Sequence, residues 1–180
     1  MPLIVRSTQE IEQYLATIQQ SSAQAVAALI ALANNPNHLF WQMKFLQIGR
    51  HPIEDRGLNL VEQINQTWTF VAAFEATRLL LQKHPAQTYL LSPGAHAALR
   101  FDIMNTNEDI CAETFAAVTP DNNNKLEKDI AKLEKHPDIA HRYVFFISPA
   151  HPNTERLEIR ERAGIQIWSI ACPQWANQLP

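Results

Sequence analysis

The chain has 180 residues, 46% hydrophobic and 18% charged, with a formal net charge of −3 and only two cysteines, Cys111 and Cys172. That length supports one domain, or one domain with a helical extension, around a full core, and the composition excludes a disulfide scaffold or a disordered chain. A charge of −3 provides no whole-molecule attraction for nucleic acid or anionic membrane, so any polyanion must meet a local basic patch.

In chain order, Met1-Pro2-Leu3-Ile4-Val5-Arg6 lacks a basic leader followed by an apolar core, so no signal peptide is expected. No apolar run is expected to approach the roughly 20 residues that cross a bilayer. With so few cysteines, a reducing cytoplasm is the expected location. The first fifty residues read as three short helices. Ser7 and Glu10 form a capping box ahead of Ile11, Leu15 and Ile18. Ser21 or Ser22 opens an alanine-rich helix through Val26, Leu29, Ile30 and Ala33, closed by Asn34-Asn35-Pro36. A third helix, from about Asn37, carries Phe40, Trp41, Met43, Phe45 and Leu46 and ends near Gly49. Arg50 to Gly57 reads as a loop separating a helical region, 1–50, from a core, 58–172.

A long helix is expected from an Asn59 cap to about Lys83, with Leu60, Ile64, Trp68, Val71, Phe74 and Leu81 as its apolar stripe. Strands follow at about Thr88–Leu91, Ala97–Met104 and Ile110–Val118, then a helix from about Asn122 to Lys135 with Leu126, Ile130 and Leu133 on one face. Tyr143-Val144-Phe145-Phe146-Ile147 suits a buried central strand, and Ile165–Ile170 a last one. The order predicts an α/β fold, a mixed sheet with helices on its faces. Four His-Pro pairs begin at His51, His84, His136 and His151. Two of them follow helices directly, where histidine suits the negative helix end and proline stops the helix.

Chemistry concentrates on two acidic residues. A hairpin turn centred on Asn107-Glu108 sets Asp102 directly across from Glu113. Opposed β-carbons lie roughly 4.5–5.5 Å apart and like charges there are destabilising. A cation between them relieves this, and hard oxygen ligands suit Mg2+ or Mn2+. The plain alternative is two solvated side chains balanced by Arg100 or a helix lysine. Glu75 falls within about 20° of Ile64 at 100° per residue, inside the apolar stripe, so it must be ion-paired, protonated or part of a site. Arg78, three residues on, is its expected partner. Glu62, in the first turn, merely complements the helix dipole.

The chain has four glycines and neither a phosphate loop nor a dinucleotide fingerprint. Neither cysteine has a histidine nearby in sequence, and no paired-cysteine zinc spacing occurs. Phe40, Trp41, Phe45, Trp68, Phe74, Phe145 and Phe146 sit at core periodicities, against a base-stacking platform.

The order helix with Glu75, strand, strand with Asp102, strand with Glu113, helix, buried strand resembles the restriction-endonuclease-like, or PD-(D/E)xK, nuclease superfamily, over roughly Asn59 to Ile147. The segments Asn59–Thr67, Glu113–Ala117 and Asn122–Asp129 also look like a group of uncharacterised bacterial proteins. The resemblance implies a restriction-endonuclease-like core (helix, three strands, helix, strand, strand) with an N-terminal helical extension. It implies Asp102 and Glu113 as ligands of Mg2+ (or Mn2+), Glu75 as an assisting helix glutamate, and hydrolysis of phosphodiester bonds. The superfamily's lysine, two residues beyond the glutamate, is here Phe115. Some members carry that lysine on the following helix, which makes Lys125 the first candidate and Lys128 the second. The alternative for these, with Lys132 and Lys135, is a solvated face balancing Glu127, Asp129 and Glu134. DNA or RNA is the implied partner, along a track of helix lysines with Arg100 and Arg142, and no membrane is implied. A homodimer is compatible with the sequence. A catalytically inactive relative that binds a protein or nucleic acid is the second expectation.

Overall fold

A computed structural model describes residues 1–32, 36–94, 98–172 and 175. In order the elements are β1 (Leu3–Val5), α1 (Thr8–Leu32), α2 (Pro36–Phe45), β2 (Gly49–Arg50), β3 (Gly57–Leu58), α3 (Leu60–Lys83), β4 (Tyr89–Leu91), β5 (Ile103–Asn105), β6 (Ile110–Ala116), α4 (Lys125–Glu134), β7 (His141–Ile147), β8 (Glu155–Arg156) and β9 (Ile165–Ser169). Single turns of 3-10 helix occur at Asn122–Asn124 and Glu158–Arg160.

Seven strands form one mixed sheet in the order β1-β4-β5-β6-β7-β9-β8. The strands β4, β5 and β6 run as an antiparallel meander, and β6–β7 and β7–β9 pair parallel. The connection from β6 to β7 runs through α4. The alternation of β6 and β7 separates two apolar layers. Ile110, Ala112, Tyr143 and Phe145 join α1 and α3 on one face. Cys111, Phe115, Val144 and Phe146 join Leu126, Ile130 and Leu133 of α4 on the other. The expected α/β class is therefore what the chain adopts.

Several local expectations change. The first two predicted helices are one, 25 residues long. Ser22 is no cap, because its hydroxyl donates to the Ile18 carbonyl at 2.9 Å inside the helix. The predicted stop at Asn34-Asn35 lies outside the described residues. Leu15 to Leu32 contains no charged residue. By length and composition α1 is long and apolar enough to cross a membrane, with 22% of its most apolar stretch buried, which corrects the expectation that no such run exists. The helical region is also no appended unit. Strand β1 pairs with β4, and Ile11, Leu15 and Ile18 share a core with Phe70, Val71 and Phe74 of α3.

On α2, Phe40, Trp41 and Phe45 are exposed by 74, 53 and 63%, so they are not core residues as their spacing suggested. The apolar stripe of α3 is wider than the expected one, with Leu60 buried and Trp68 and Leu81 packed against the core as expected. Phe70, Ala73, Ala76 and Leu80 are buried with Val71 and Phe74, whereas Ile64 is 49% exposed. The predicted strand Ala97–Met104 shrinks to β5, with Phe101 and Asp102 just outside it and Ala97 outside the described residues. The predicted loop 50–57 is bounded by the short hairpin β2–β3. Asn59 caps α3 as expected, accepting from the Glu62 N–H at 2.9 Å, and His84 closes it.

Candidate active site

The β5–β6 turn falls where the sequence puts it. Ile103 faces Ala112 and Met104 faces Cys111, a register that, carried one residue further, sets Asp102 against Glu113. Buried Asn105 fixes the turn, its side-chain oxygen accepting the N–H groups of Asp109 and Ile110 at 3.1 and 2.9 Å. Because β5 stops at Ile103, the last residues of β6 have no strand partner on that side. The Asp102 carboxylate fills the gap, its Oδ2 accepting the Thr114 N–H at 2.8 Å and the Thr114 hydroxyl at 3.1 Å.

Asp102 and Glu113 both line one cavity of about 1040 Å³ at the carboxyl ends of β6 and β7, and they are only 9 and 3% exposed. This is where open α/β sheets place their ligand sites. Ile64, Asn65, Trp68 and Thr69 of α3 form one wall, and Lys125, Lys128, Asp129 and Lys132 of α4 another. Lys125 is the first residue of α4, so the positive end of that helix dipole meets the cavity.

The charges inside are interleaved. Lys132 Nζ donates to Glu113 Oε1 at 2.6 Å, and Lys125 donates to Asp129 Oδ1. Lys128 donates to the Asn123 carbonyl at 3.0 Å. Burial raises Asp102 above the usual aspartate range against the Thr114 bonds and the Lys125 and Lys132 charges. Burial and then the Asp102 charge push Glu113 up to about 7, with Lys132 opposing. Asp129 is raised by burial as well. Its Oδ2 is buried without a hydrogen-bond partner, which singles out a carboxylate aligned with this cluster.

Lys132 and Asp129 were not distinguished from a solvated face in the sequence. The signal is there in hindsight: Lys125, Asp129 and Lys132 are spaced i, i+4, i+7 and flank Leu126, Ile130 and Leu133 by one position, on the edge of the apolar face. Lys125 lies in the cavity as expected, but the amine on Glu113 belongs to Lys132. Phe115 is buried and stacks on Phe146, with ring centroids 5.5 Å apart.

Glu75 stands apart from this cavity. It lines a second one with Glu12, and Arg78 bridges the two carboxylates at 2.8 Å to Glu75 and 2.7 Å to Glu12. That is the ion pair expected as its alternative role, and the structure does not bring Glu75 to Asp102 and Glu113. Arg142 is not on a phosphate track either. Its guanidinium holds the carbonyls of Leu133 and Ala163, tying α4 to the turn before β9. Arg100 is exposed and does not line the cavity. Both cysteines are free and buried, and burial pushes the Cys111 thiol up to about 12, away from nucleophilic use. Among the described residues no three His, Cys, Asp or Glu side chains form a ready protein-only metal cage. No protein-family model, curated protein or solved structure matches the chain.

Proposed function

We propose that the chain is a restriction-endonuclease-like, metal-dependent phosphodiesterase whose site is the Asp102–Glu113 cavity. One observation carries the reading: two buried carboxylates, Asp102 just before β5 and Glu113 in the middle of β6, share a cavity with three lysines of the following helix. The order α3, antiparallel β4–β5–β6, α4, parallel β7 supports it, since this is the helix, three strands, helix, strand arrangement that the superfamily resemblance implies.

The donor set fits a hard divalent cation. Asp102 and Glu113 supply oxygens, and Mg2+ is usually held by one or two carboxylates, with water and substrate phosphate completing its shell. When bound, such an ion supplies Lewis acidity toward a phosphoryl oxygen and a lowered pKa for water. The chain's own residues do the rest. Lys132, hydrogen-bonded to Glu113, places an ammonium where charge builds on the phosphoryl oxygens, the role the superfamily gives to the lysine that Phe115 replaces. Lys125 and Lys128 attract and orient the phosphate backbone. Thr114 holds Asp102 in one orientation through two hydrogen bonds.

A second reading, an inactive relative that binds a partner, is favoured by one feature. Lys132 already neutralises Glu113, so the fold tolerates the opposed carboxylates without a metal ion. Calorimetric titration with Mn2+ and Mg2+ separates the two. The phosphodiesterase reading expects binding heat from the native chain, at least a tenfold weakening in Asp102→Ala and in Glu113→Ala, and metal-dependent cleavage of oligonucleotides lost in both. A native chain without binding heat or cleavage leaves only the binding module.

A further inference from the structure

Resting on that reading of the cavity, we infer that its substrate is an unpaired strand of nucleic acid, with phosphates on the α4 wall and bases on the α3 wall. The two walls differ in chemistry. On α4, Lys125, Lys128 and Lys132 present ammonium groups, with side chains of Lys125 and Lys132 40 and 43% exposed. The α3 wall carries Ile64, Asn65, Trp68 and Thr69 and no charge. Ile64 is 49% exposed there, and Val118 on the rim 69%, so apolar surface lies beside the charged wall. Trp68 is half-buried and packs against Trp175 in a tilted arrangement, with centroids 5.8 Å apart. A single strand has this same division: a phosphate backbone on one side and flat apolar bases on the other. Proteins that bind single strands pair a cationic track with aromatic surfaces for the bases.

At about 1040 Å³ the cavity is about the size of the larger small-ligand pockets, roughly 1,000 Å³. The carboxylates lie within it, nearly closed to solvent.

The test is fluorescence anisotropy of the full chain, with calcium present, against labelled oligo-dT and oligo-rU of about 8 nucleotides and a blunt duplex of equal length. Either single strand is expected to bind at least tenfold more tightly than the duplex, and the ratio of the dT and rU affinities identifies the sugar preferred. Ile64→Asp, at an exposed position that does not endanger folding, is expected to weaken single-strand binding about tenfold. Lys128→Ala is expected to weaken it a few-fold and to reduce the logarithmic salt slope by about 0.7. Duplex binding as tight as single-strand binding, or an Ile64→Asp chain with native affinity, overturns the inference. The outcomes separate from those of the hydrolase reading. Metal-dependent duplex cleavage without single-strand preference sinks this inference alone. Single-strand binding without cleavage keeps the two-wall assignment and sinks the hydrolase.

Discussion

Glu113 is the residue on which most of the site's electrostatics turn. Its carboxyl is buried, faces the Asp102 charge, and is held by Lys132, with the balance pushing it up to about 7 from an ordinary 4.5. Between those values the folded chain holds more protons than the unfolded one, so stability falls as pH rises through that window. Asp102 and Asp129, also raised, act in the same direction. Glu113→Gln is neutral at every pH. It is expected to remove part of the decline in Tm between about pH 5 and pH 8 and to melt no lower than the native chain at the upper end. Thermal melts of both chains across that range check this, and parallel curves would show that Glu113 titrates normally. The same raised value predicts that a divalent ion binding at Glu113 displaces a proton near neutral pH, so affinity climbs with pH.

At the scale of elements, the informative joint is between α1, α3 and the β2–β3 hairpin. Gln63, 2% exposed, donates from Nε2 to the carbonyl and hydroxyl oxygens of Ser21, both at 3.1 Å, and its Oε1 accepts the Arg50 N–H at 2.9 Å. Three elements thus meet on one amide. Its neighbour Gly49 leaves the room, since a β-carbon there would lie 2.3 Å from Gln63 Oε1. Gln63→Met keeps the volume but strands buried polar groups. It is expected to cost about 2 kcal/mol, read from denaturant unfolding. A cost below about 0.5 kcal/mol would mean that water replaces the amide. The serine pair was read as a helix start because serine favours caps. In a helix already under way, Ser22 turns its hydroxyl back to Ile18, and Ser21 becomes the acceptor that Gln63 needs. The α3 stripe held at Leu60, Val71 and Phe74 and missed at Ile64. Ile64 fits the helical period, yet α3 also buries its alanines and leaves Ile64 at the cavity.

For the whole molecule, the N-terminal fifty residues and the rest share one sheet and one core. Strand β1 completes the sheet edge beside β4, and Tyr14 stacks on Phe74 with centroids 4.8 Å apart. A fragment lacking residues 1–50 would expose the α3 face that α1 covers, so it is expected to lose cooperative thermal unfolding, measured by circular dichroism. A fragment with a sharp native-like transition would restore a separate helical extension. The cavity, too, belongs to the whole. Its walls come from helices on opposite faces of the sheet, and its floor from strand ends that the β5 truncation leaves open.

Much of this was legible along the chain. The class of the fold, the Asn59 cap and the β5–β6 turn at Asn107-Glu108 rest on local rules of period, capping and turn chemistry, which act within a few residues. The pairing of Asp102 with Glu113 followed from that turn, because an antiparallel register is set by its hairpin. What the chain did not disclose depends on which face of a helix meets which neighbour. Lys132 rather than Lys125 reaches Glu113, Asp129 is buried rather than solvated, Glu12 joins the expected Glu75–Arg78 pair, and Phe40, Trp41 and Phe45 stay outside. Periodicity states that a helix has faces; the rotation of each helix against the sheet, fixed by packing of distant side chains, decides what each face touches.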